Sequence, residues 1–328
     1  MLKNSDAMMR YWYGLGEELP AVGFGCWQIS GNHEVSGRPN GWGDISDSNA
    51  KQLIWYALDA GIRFFDTAQG YGNGRSEKLL GEAIAEHPRG GQAVICTKIP
   101  NPSHKSRLHY AKKIDEAVEV SLQRLGRDYV DIVLLHNPPD EYQYDDVCID
   151  AFEAQRRKGN IKTYGVSART LIGANSALLS GFGTCVEWNF NLFERRPITD
   201  IFPLCRAHQI NFIGRSPLAR GLITDRFLQA KKPYFNDSEF RSTLDPTWVE
   251  WVKLELIRFK KDCKIKPKIS DYALRYLMSF DDASVIIPGV NSVAHIESIK
   301  QLKIEGKLDE KTLLDLEHYL PVCYPGYR

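Results

Sequence analysis

The chain of 328 residues alternates eight times between a short apolar run and an amphipathic helical stretch, and this alternation predicts an α/β fold. Strands that alternate with helices form a parallel sheet covered by helices, and eight strands close such a sheet into a filled (β/α)8 barrel, the TIM barrel. No composition shift or Pro/Ser-rich linker divides the chain. We therefore expect a single barrel domain over residues 1–328, with extra loops and a short N-terminal segment.

The eight strand candidates are short apolar runs. In chain order they cover residues 22–27, 64–68, 93–99, 129–136, 163–168, 184–190, 211–218 and 284–289. The helical candidates place apolar residues three and four positions apart, as in Tyr110, Ile114 and Val118. They cover approximately residues 48–60, 76–86, 109–125, 145–158, 170–180, 197–208, 269–279 and 292–303.

Four segments fall outside these units: residues 1–21, 30–46, 219–268 and 304–328. Within the third of them, residues 247–263 predict an additional helix. A doubly wound dinucleotide-binding sheet is the competing architecture, and it normally opens with the motif GxGxxG after its first strand. Gly23 and Gly25 begin such a motif, but Gln28 stands where the third glycine belongs. The barrel is therefore favoured.

The charge and the apolar runs of the chain exclude several classes of protein. The net charge of +1 predicts no global attraction to nucleic acid or to anionic lipid. The longest wholly aliphatic run, residues 132–135, is far shorter than the ~18 residues of a membrane span, and the N-terminus lacks a signal-peptide core. The 7 cysteines form no CxxC pair and are not paired with histidines, which predicts reduced thiols in the cytoplasm and no metal site.

Polar side chains with catalytic chemistry end three successive predicted strands. Asp66 ends the second strand, Lys98 the third and His136 the fourth, and Tyr71 lies in the glycine-rich turn after Asp66. In a closed parallel barrel the reactive face lies at the carboxyl ends of the strands. Each residue alone has an ordinary structural explanation, but their coincidence on neighbouring strands favours one common pocket.

These residue types together are suited to proton transfer. A phenol has a pKa of about 10, and a buried ammonium beside it lowers that pKa, while a carboxylate keeps the lysine charged. Asp66, Lys98 and Tyr71 therefore form a candidate general acid–base system, and His136 could hold a carbonyl oxygen. A carbonyl polarised in this way needs a hydride, which no amino acid supplies, so a nicotinamide cofactor is implied. A Schiff base on Lys98, as in an aldolase, is an alternative use of the same residues.

Several stretches of the chain resemble the aldo-keto reductase family. In chain order they are VGFGCWQIS, DAGIRFFDTAQGYGNGRSEKLLGEAI, ICTKIP, SLQRLGRDYVDIVLLHNPP, GNIKTYGVSA, NLFERRP, RSPLARGLIT and ALRYLMSFDDASVIIPGVNS. The resemblance covers about residues 20–300 and implies a (β/α)8 barrel that binds NADP(H) across its C-terminal face and interconverts carbonyls and alcohols. It maps the catalytic tetrad of the family onto Asp66, Tyr71, Lys98 and His136, with Tyr71 as the general acid.

The resemblance also implies contacts to the nicotinamide, and here the chain departs from the family. The family usually has Ser-Asn after the fifth strand, Gln after the sixth and an aromatic residue after the seventh. This chain has Ser167 followed by Ala168, then Glu187 and Arg215. Because Glu187 and Arg215 depart together on adjacent strand ends, we hypothesise that they form an ion pair beneath the nicotinamide.

At the phosphate end of the cofactor the resemblance implies two groups of contacts. The pyrophosphate is expected on the loop after the seventh strand, at Ser216, Leu218 and Arg220. Around the last strand the expected contacts are Pro288, Gly289, Asn291 and His295. The family often has Lys or Arg where Asn291 stands, and a phosphate prefers those side chains. The resemblance itself favours NADP(H) over NAD(H), but the absence of Lys or Arg at Asn291 weakens that preference, and use of NADH stays open.

The substrate side of the pocket is less well defined. Trp27 matches an aromatic residue that lines the substrate pocket in many members of the family. The polar, glycine-rich stretch GNHEVSGRPNGWGD over residues 31–44 suggests a hydroxylated substrate, such as a sugar-like or polyol carbonyl compound. The departures at Ala168, Glu187 and Arg215 leave another function open, that of a weakly catalytic or non-catalytic cofactor sensor.

Overall fold

The structure of the protein, a computed structural model, describes residues 8–102, 107–231, 235–265, 268–319 and 323. In chain order the strands are β1 (Met9–Trp12), β2 (Glu17–Pro20), β3 (Phe24–Gly25), β4 (Glu34–Val35), β5 (Arg38–Pro39), β6 (Phe64–Asp66), β7 (Val94–Ile99), β8 (Val130–His136), β9 (Ile161–Ser167), β10 (Cys185–Asn189), β11 (Asn211–Arg215) and β12 (Ala283–Ile287). The helices are α1 (Asp47–Asp59), α2 (Arg75–Glu86), α3 (Arg107–Leu125), α4 (Asp146–Lys158), α5 (Leu171–Leu179), α6 (Phe202–His208), α7 (Asp225–Gln229), α8 (Pro246–Asp262), α9 (Ile269–Met278), α10 (Val293–Glu305) and α11 (Glu310–Tyr319).

Eight parallel strands form a closed barrel, which confirms the predicted fold. The sheet runs in the order β3, β6, β7, β8, β9, β10, β11 and β12. Two parallel bridges, Val22 to Ile286 and Gly25 to Gly289, join the first strand region to the last and close the ring. All eight predicted strands are present, because strands covered by helices outside and packed inside read as apolar runs.

The first strand is shorter than predicted. Only Phe24–Gly25 has strand geometry, and Cys26–Ser30 forms a 3-10 turn in place of the predicted strand end at Trp27. A Cβ atom on Gly25 would lie 3.1 Å from the carbonyl oxygen of Pro288, so glycine permits the close approach that closes the barrel.

The predicted helices are found near their expected positions, with one interrupted. In the helix predicted over residues 197–208, the first five residues, Pro197–Ile201, form a wide π-type turn. The α-helix α6 begins only at Phe202. The additional helix predicted at residues 247–263 is α8, and its N-cap Asp245 accepts hydrogen bonds from the backbone N–H groups of Thr247 and Trp248. In the part of the chain that the structure describes, no helix is both long and apolar enough to cross a membrane.

The N-terminal segment closes the bottom of the barrel. β1 and β2 pair as an antiparallel hairpin, and the backbone N–H of Tyr13 donates to Oδ1 of Asn211 at the start of β11. Trp12, fully buried, stacks on Phe64 with ring centroids 5.0 Å apart. Leu19 joins them in a cluster with the side chains inside the barrel. The reactive end is therefore the opposite one.

Two of the extra loops meet over that opposite end. The loop before α1 contains the β4–β5 hairpin, and the long segment after β11 returns to it at Gly41 and Glu239, which form a parallel bridge. The backbone N–H of Phe240 donates to the carbonyl oxygen of Gly41 at 2.8 Å. This contact positions Phe240 above the first strand.

Candidate active site

The carboxyl ends of three adjacent strands bring the predicted acid, amine and imidazole together. Asp66 is the last residue of β6, Lys98 is next to last in β7 and His136 is the last residue of β8. β6 pairs with β7 and β7 with β8, all parallel, so these residues lie at one end of the barrel.

Lys98 lies at the centre of the cluster with its side chain fully buried. Its Nζ donates to Oδ1 of Asp66 at 2.5 Å and to the carbonyl oxygen of Thr67 at 3.0 Å. The same Nζ lies 3.4 Å from the hydroxyl oxygen of Tyr71. The ammonium is thus in hydrogen-bonding range of both the carboxylate and the phenol.

Tyr71 is held by a turn that only a glycine-rich sequence can form. Gly72 and Asn73 have φ values of 60° and 52°, and Gly74 has a φ of 94°. A Cβ on Gly74 would lie 2.4 Å from the guanidinium of Arg124, and one on Gly72 would lie 2.6 Å from the carbonyl oxygen of Ser30. The glycines therefore satisfy both the left-handed backbone and the close packing that aim Tyr71 at Lys98.

His136 meets Tyr71 edge to face, with ring centroids 6.1 Å apart and an interplanar angle of 84°. Burial, together with the charge of Lys98, lowers the pKa of His136 to about 3. The imidazole is therefore neutral at pH 7, and its one N–H can donate a hydrogen bond.

The pKa of Tyr71 is raised, whereas the sequence predicted that Lys98 would lower it. Burial raises the pKa of Tyr71 above its ordinary range, although the ammonium of Lys98 acts in the opposite direction. The lowering expected from Lys98 alone is thus outweighed. A phenol with a raised pKa is protonated at pH 7 and can act as a proton donor.

Glu187 belongs to the same cluster. It was predicted as a contact to the nicotinamide, and its contact with Lys98 was not predicted. Its Oε2 lies 3.3 Å from Nζ of Lys98, and its Oε1 accepts a hydrogen bond from the hydroxyl of Ser167 at 2.9 Å. Burial and the neighbouring Glu187 raise the pKa of Asp66. Burial opposes ionisation of Glu187 as well, but Lys98 and Arg215 outweigh it and lower the pKa of Glu187. Two carboxyl groups therefore compete for one ammonium.

The hypothesised pair of Glu187 and Arg215 is present at the outer limit of an ion pair. Nε of Arg215 lies 3.9 Å from Oε1 of Glu187. Arg215 is held more closely by the carbonyl oxygen of Ala168, which accepts from Nη2 at 2.9 Å. The nearer cationic partner of Glu187 is Lys98.

The loop proposed to hold the pyrophosphate has an unusual backbone. Ser216 and Arg220 have φ values of 53° and 60°, and the carbonyl oxygen of Ser216 accepts from the side chain of Asn191 at 3.1 Å. Leu218 is half-buried. The guanidinium carbon of Arg220 lies 5.3 Å from the ring centre of Phe240.

The residues predicted around the last strand occupy two environments. The carbonyl oxygen of Pro288 accepts from the backbone N–H of Gly25 at 2.9 Å, and the side chain of Gln28 packs against Gly289. Asn291 and His295 are exposed on either side of the N-terminus of α10. Pro288 and Gly289 thus help to close the barrel, whereas Asn291 and His295 are open to a ligand.

An aromatic wall stands beside the phenol. The ring of Trp27 stacks on that of Tyr71 with centroids 5.8 Å apart, and Nε1 of Trp27 donates to the carbonyl oxygen of Asn40 at 3.0 Å. The rings of Trp42 and Phe240 pack against the same indole, with ring centroids 5.3 and 5.1 Å from that of Trp27. Phe240 was not predicted, because its place depends on the bridge between two distant loops.

The carboxylates could also be considered as metal ligands. Ligand atoms of Asp66, Cys96 and Glu187 lie within 4.8 Å of one another. However, Nζ of Lys98 lies 2.5 Å from Asp66 and 3.3 Å from Glu187, so an ammonium holds the position that a cation would take. Burial also raises the pKa of the Cys96 thiol well above its ordinary value. The geometry is that of an ion-pair cluster.

Comparisons with known proteins bear on the family and the fold of the chain. The model of the Aldo/keto reductase family matches residues 21–318. The aldo-keto reductase YhdN of Bacillus subtilis (strain 168) is 26% identical over 318 residues, covering 92% of this chain and 91% of that protein. A probable voltage-gated potassium channel subunit beta of Arabidopsis thaliana is 32% identical over 239 residues, covering 69% of this chain and 67% of that protein.

Among solved structures, the holo form of aldo-keto reductase AKR11C1 from Bacillus halodurans has the same fold. Its TM-score is 0.76 at 23% sequence identity, and the match covers 98% of this chain and 99% of that chain. Further relatives carry NADP(+) or NADH in their names. The nicotinamide cofactor of the family therefore occurs in both forms.

Proposed function

The chain belongs to the aldo/keto reductase family of NAD(P)H-dependent carbonyl oxidoreductases, and from this premise we propose that Tyr71 protonates the carbonyl oxygen of an aldehyde or ketone. The observation that carries the proposal is the position of Nζ of Lys98, 2.5 Å from Asp66 and 3.4 Å from the hydroxyl of Tyr71. A buried ammonium next to a phenol stabilises the phenolate that remains after proton transfer.

The four residues then have distinct roles. Tyr71 donates the proton in reduction and accepts it in alcohol oxidation. Lys98 stabilises the phenolate, and the carboxyl groups of Asp66 and Glu187 together keep the lysine charged in spite of its burial. His136 is neutral at pH 7 and donates a hydrogen bond that orients the carbonyl oxygen.

The nicotinamide end of a cofactor fits the residues at the ends of β9, β10 and β11. Oε2 of Glu187 and Nε of Arg215 are buried, and neither forms a hydrogen bond with the described residues. Such atoms suit the carboxamide of a nicotinamide, with Ser167 beside them, and the planar guanidinium of Arg215 can stack on a ring. When bound, the nicotinamide supplies the hydride.

We propose NADP(H) rather than NAD(H) as the cofactor because relatives are named for NADP, although Asn291 supplies no cation for its extra phosphate, and NADH use is retained. We assign the pyrophosphate to Ser216, Leu218 and Arg220. Ser292, the N-cap of α10, makes no capping hydrogen bond through its side chain, although the backbone N–H of His295 donates to the carbonyl oxygen of Ser292 at 3.1 Å. We assign a phosphate to this helix N-terminus, near Asn291 and His295. Titrations with NADPH and with NADH, monitored by fluorescence, give the two dissociation constants and so the cofactor preference.

The substrate we propose is a hydroxylated carbonyl compound, such as a sugar-like or polyol aldehyde. The aromatic wall of Trp27, Trp42 and Phe240 presents flat apolar surface to the C–H groups of such a molecule. Asn40 and His33 on the loop above add polar groups. The wild-type protein should oxidise NADPH in the presence of glyceraldehyde or a keto sugar, and absence of turnover with every carbonyl tested would refute the reductase assignment.

Two alternatives are distinguishable. A Schiff base requires a neutral amine, but Asp66 and Glu187 raise the pKa of Lys98 well above its ordinary value in spite of burial, which disfavours the aldolase alternative. A cofactor-sensing role has one observation in its favour, the similarity to a protein named as a potassium channel subunit. Tight NADPH binding with very slow turnover over a broad set of carbonyls would favour that role.

The proposed location is the cytoplasm. Five of the seven cysteines are buried, and all seven are free thiols: Cys26, Cys96, Cys148, Cys185, Cys205, Cys263 and Cys323. Unpaired thiols in these numbers are typical of proteins from a reducing compartment.

A further inference from the structure

One buried carboxylate of the active site, that of Glu187, has a proposed place beside the nicotinamide but no part in the proton transfer derived so far. The side chain of Glu187 is only 1% exposed, and its Oε2 lies 3.3 Å from Nζ of Lys98. Asp66 contacts the same Nζ at 2.5 Å, so the ammonium lies between two carboxyl groups. Burying a second carboxylate is costly unless it is paired with cations.

Hydrogen bonding alone does not require a carboxylate at this position. Oε1 of Glu187 accepts from the hydroxyl of Ser167 at 2.9 Å, and an amide oxygen could accept the same bond. What an amide cannot provide is negative charge toward Lys98 at 3.3 Å and Arg215 at 3.9 Å. The charge of Glu187 is therefore its distinguishing property.

The ionisable groups around Tyr71 and Glu187 come from five elements. They are Asp66 on β6, Cys96 and Lys98 on β7, His136 on β8, Glu187 on β10 and Arg215 on β11. The Cys96 thiol and the His136 imidazole are neutral at pH 7, because burial raises the pKa of Cys96 and lowers that of His136. Burial and Glu187 raise the pKa of Asp66 to about 8, whereas Lys98 and Arg215 lower the pKa of Glu187, so Glu187 carries a negative charge at pH 7. The cationic groups are Lys98 and Arg215, and Glu187 lies between them.

We propose that Glu187 is a positioning residue, which holds the ammonium of Lys98 between itself and Asp66 and thereby sets the pH at which Tyr71 exchanges its proton. The inference deepens the proposed function and rests on it, since it concerns the same lysine and the same phenol. Glu187 contacts Lys98, and its negative charge also acts on Tyr71 across the site.

The direction of the effect follows from the charges. A negative group near a phenol opposes formation of the phenolate, whereas the ammonium of Lys98 favours it. In this site Glu187 raises the pKa of Tyr71 and Lys98 lowers it. Replacing Glu187 with Gln keeps the shape and removes the opposing charge, so Tyr71 should lose its proton at a lower pH.

The test is a pair of pH profiles for wild type and Glu187→Gln. The probes are NADPH with 4-nitrobenzaldehyde for reduction and NADP+ with 4-nitrobenzyl alcohol for oxidation. The range runs from about pH 6 to the highest pH at which both proteins stay folded, because burial raises the pKa of Tyr71 above the ordinary phenol value of about 10. In the variant, the alkaline loss of kcat/KM in reduction and the rise of kcat/KM in oxidation should both move to lower pH by roughly one unit. A purely structural role would lower the rates and leave both pH positions unchanged.

Control variants separate charge from shape. Ser167→Ala removes a neutral hydrogen-bond donor to Glu187, and Glu187→Asp retains the charge, so both should keep the wild-type pH positions. Glu187→Ala removes the charge with a different shape and should shift the profile in the same direction as Gln, which provides a second test where Glu187→Gln does not fold.

The outcomes for the inference and for the proposed function are distinct. If the wild type is active and its pH profiles coincide with those of Glu187→Gln and Glu187→Ala, the inference is overturned and the reductase function stays intact. A wild type that reduces neither 4-nitrobenzaldehyde nor any other carbonyl with NADPH or NADH would overturn the function, and the inference with it.

Discussion

Trp27 stacks on Tyr71 with an interplanar angle of 16° and ring centroids 5.8 Å apart. The indole thereby covers one face of the phenol, while Nζ of Lys98 lies 5.1 Å from the centre of the same phenol ring. Trp27 lies in the 3-10 turn after β3, so its position depends on the early end of the first strand. The aromatic wall and the phenol of Tyr71 thus form one packed unit.

Replacing Trp27 should weaken substrate binding more than it slows the chemistry. Trp27→Ala removes an apolar face that the C–H groups of the substrate would contact, and a loss of ~0.5–1.5 kcal/mol corresponds to a rise in KM of roughly two- to tenfold. Trp27→Phe retains an aromatic face and serves as the control. Steady-state kinetics with the preferred aldehyde measures both constants, and an unchanged KM in Trp27→Ala would show that the wall does not contact the substrate.

Glu187 and Arg215 should show coupled effects on cofactor binding. Because they lie 3.9 Å apart, Arg215→Ala leaves Glu187 with one cation fewer, so this variant should lose more NADPH affinity with Glu187 intact than in the Glu187→Gln background. We expect a coupling energy near ~0.5 kcal/mol, the low end for residues in contact. Fluorescence quenching titrations of the four proteins measure it, and strictly additive losses would refute the pair.

The phosphate proposed near Asn291 and His295 meets an amide side chain at Asn291, and a cation can be introduced there by substitution. Asn291 is exposed at the N-terminal end of α10, so Asn291→Arg should fold normally and place a guanidinium near the phosphate. A charge-assisted hydrogen bond of ~1.5 kcal/mol predicts roughly tenfold tighter NADPH binding, with NADH binding unchanged. Equal changes in the affinities for NADPH and NADH would mean that the phosphate binds elsewhere. Lys300→Ala, at another exposed position of α10, is the matched control.

The N-terminal hairpin should contribute strongly to stability through Trp12. The side chain is fully buried against Phe64, so Trp12→Ala should lower the free energy of unfolding by ~3–5 kcal/mol. Nε1 of Trp12 is buried and makes no hydrogen bond with the described residues, so Trp12→Phe should cost far less. Denaturant unfolding compares both with the exposed Tyr13→Ala, and a small loss in Trp12→Ala would contradict the packing.

The barrel and the tetrad could be predicted because their signals are local in the sequence. Buried parallel strands read as apolar runs, and Asp66, Lys98 and His136 each end such a run on adjacent strands. The interruption before α6 was missed, because apolar periodicity alone carries no information on the wide turn at Pro197–Ile201.

The contact of Glu187 with Lys98 could not be predicted in the same way. β7 and β10 do not pair, since β8 and β9 separate them in the sheet, so the two side chains meet across the interior of the barrel. Such a contact depends on the closure and stagger of the whole barrel and leaves no spacing in the sequence. The contacts of Phe240 with Trp27 depend in the same way on two loops that are distant in the chain.

The most direct test of the proposed chemistry is the single-turnover reduction of a carbonyl by Tyr71→Phe with NADPH. The account predicts an unchanged melting temperature and NADPH affinity, with a loss of the hydride-transfer rate of about 10²-fold or more, because Phe keeps the stacking on Trp27 and removes the proton donor. A Tyr71→Phe protein that reduces the carbonyl as fast as wild type would contradict the assignment of Tyr71 as the general acid.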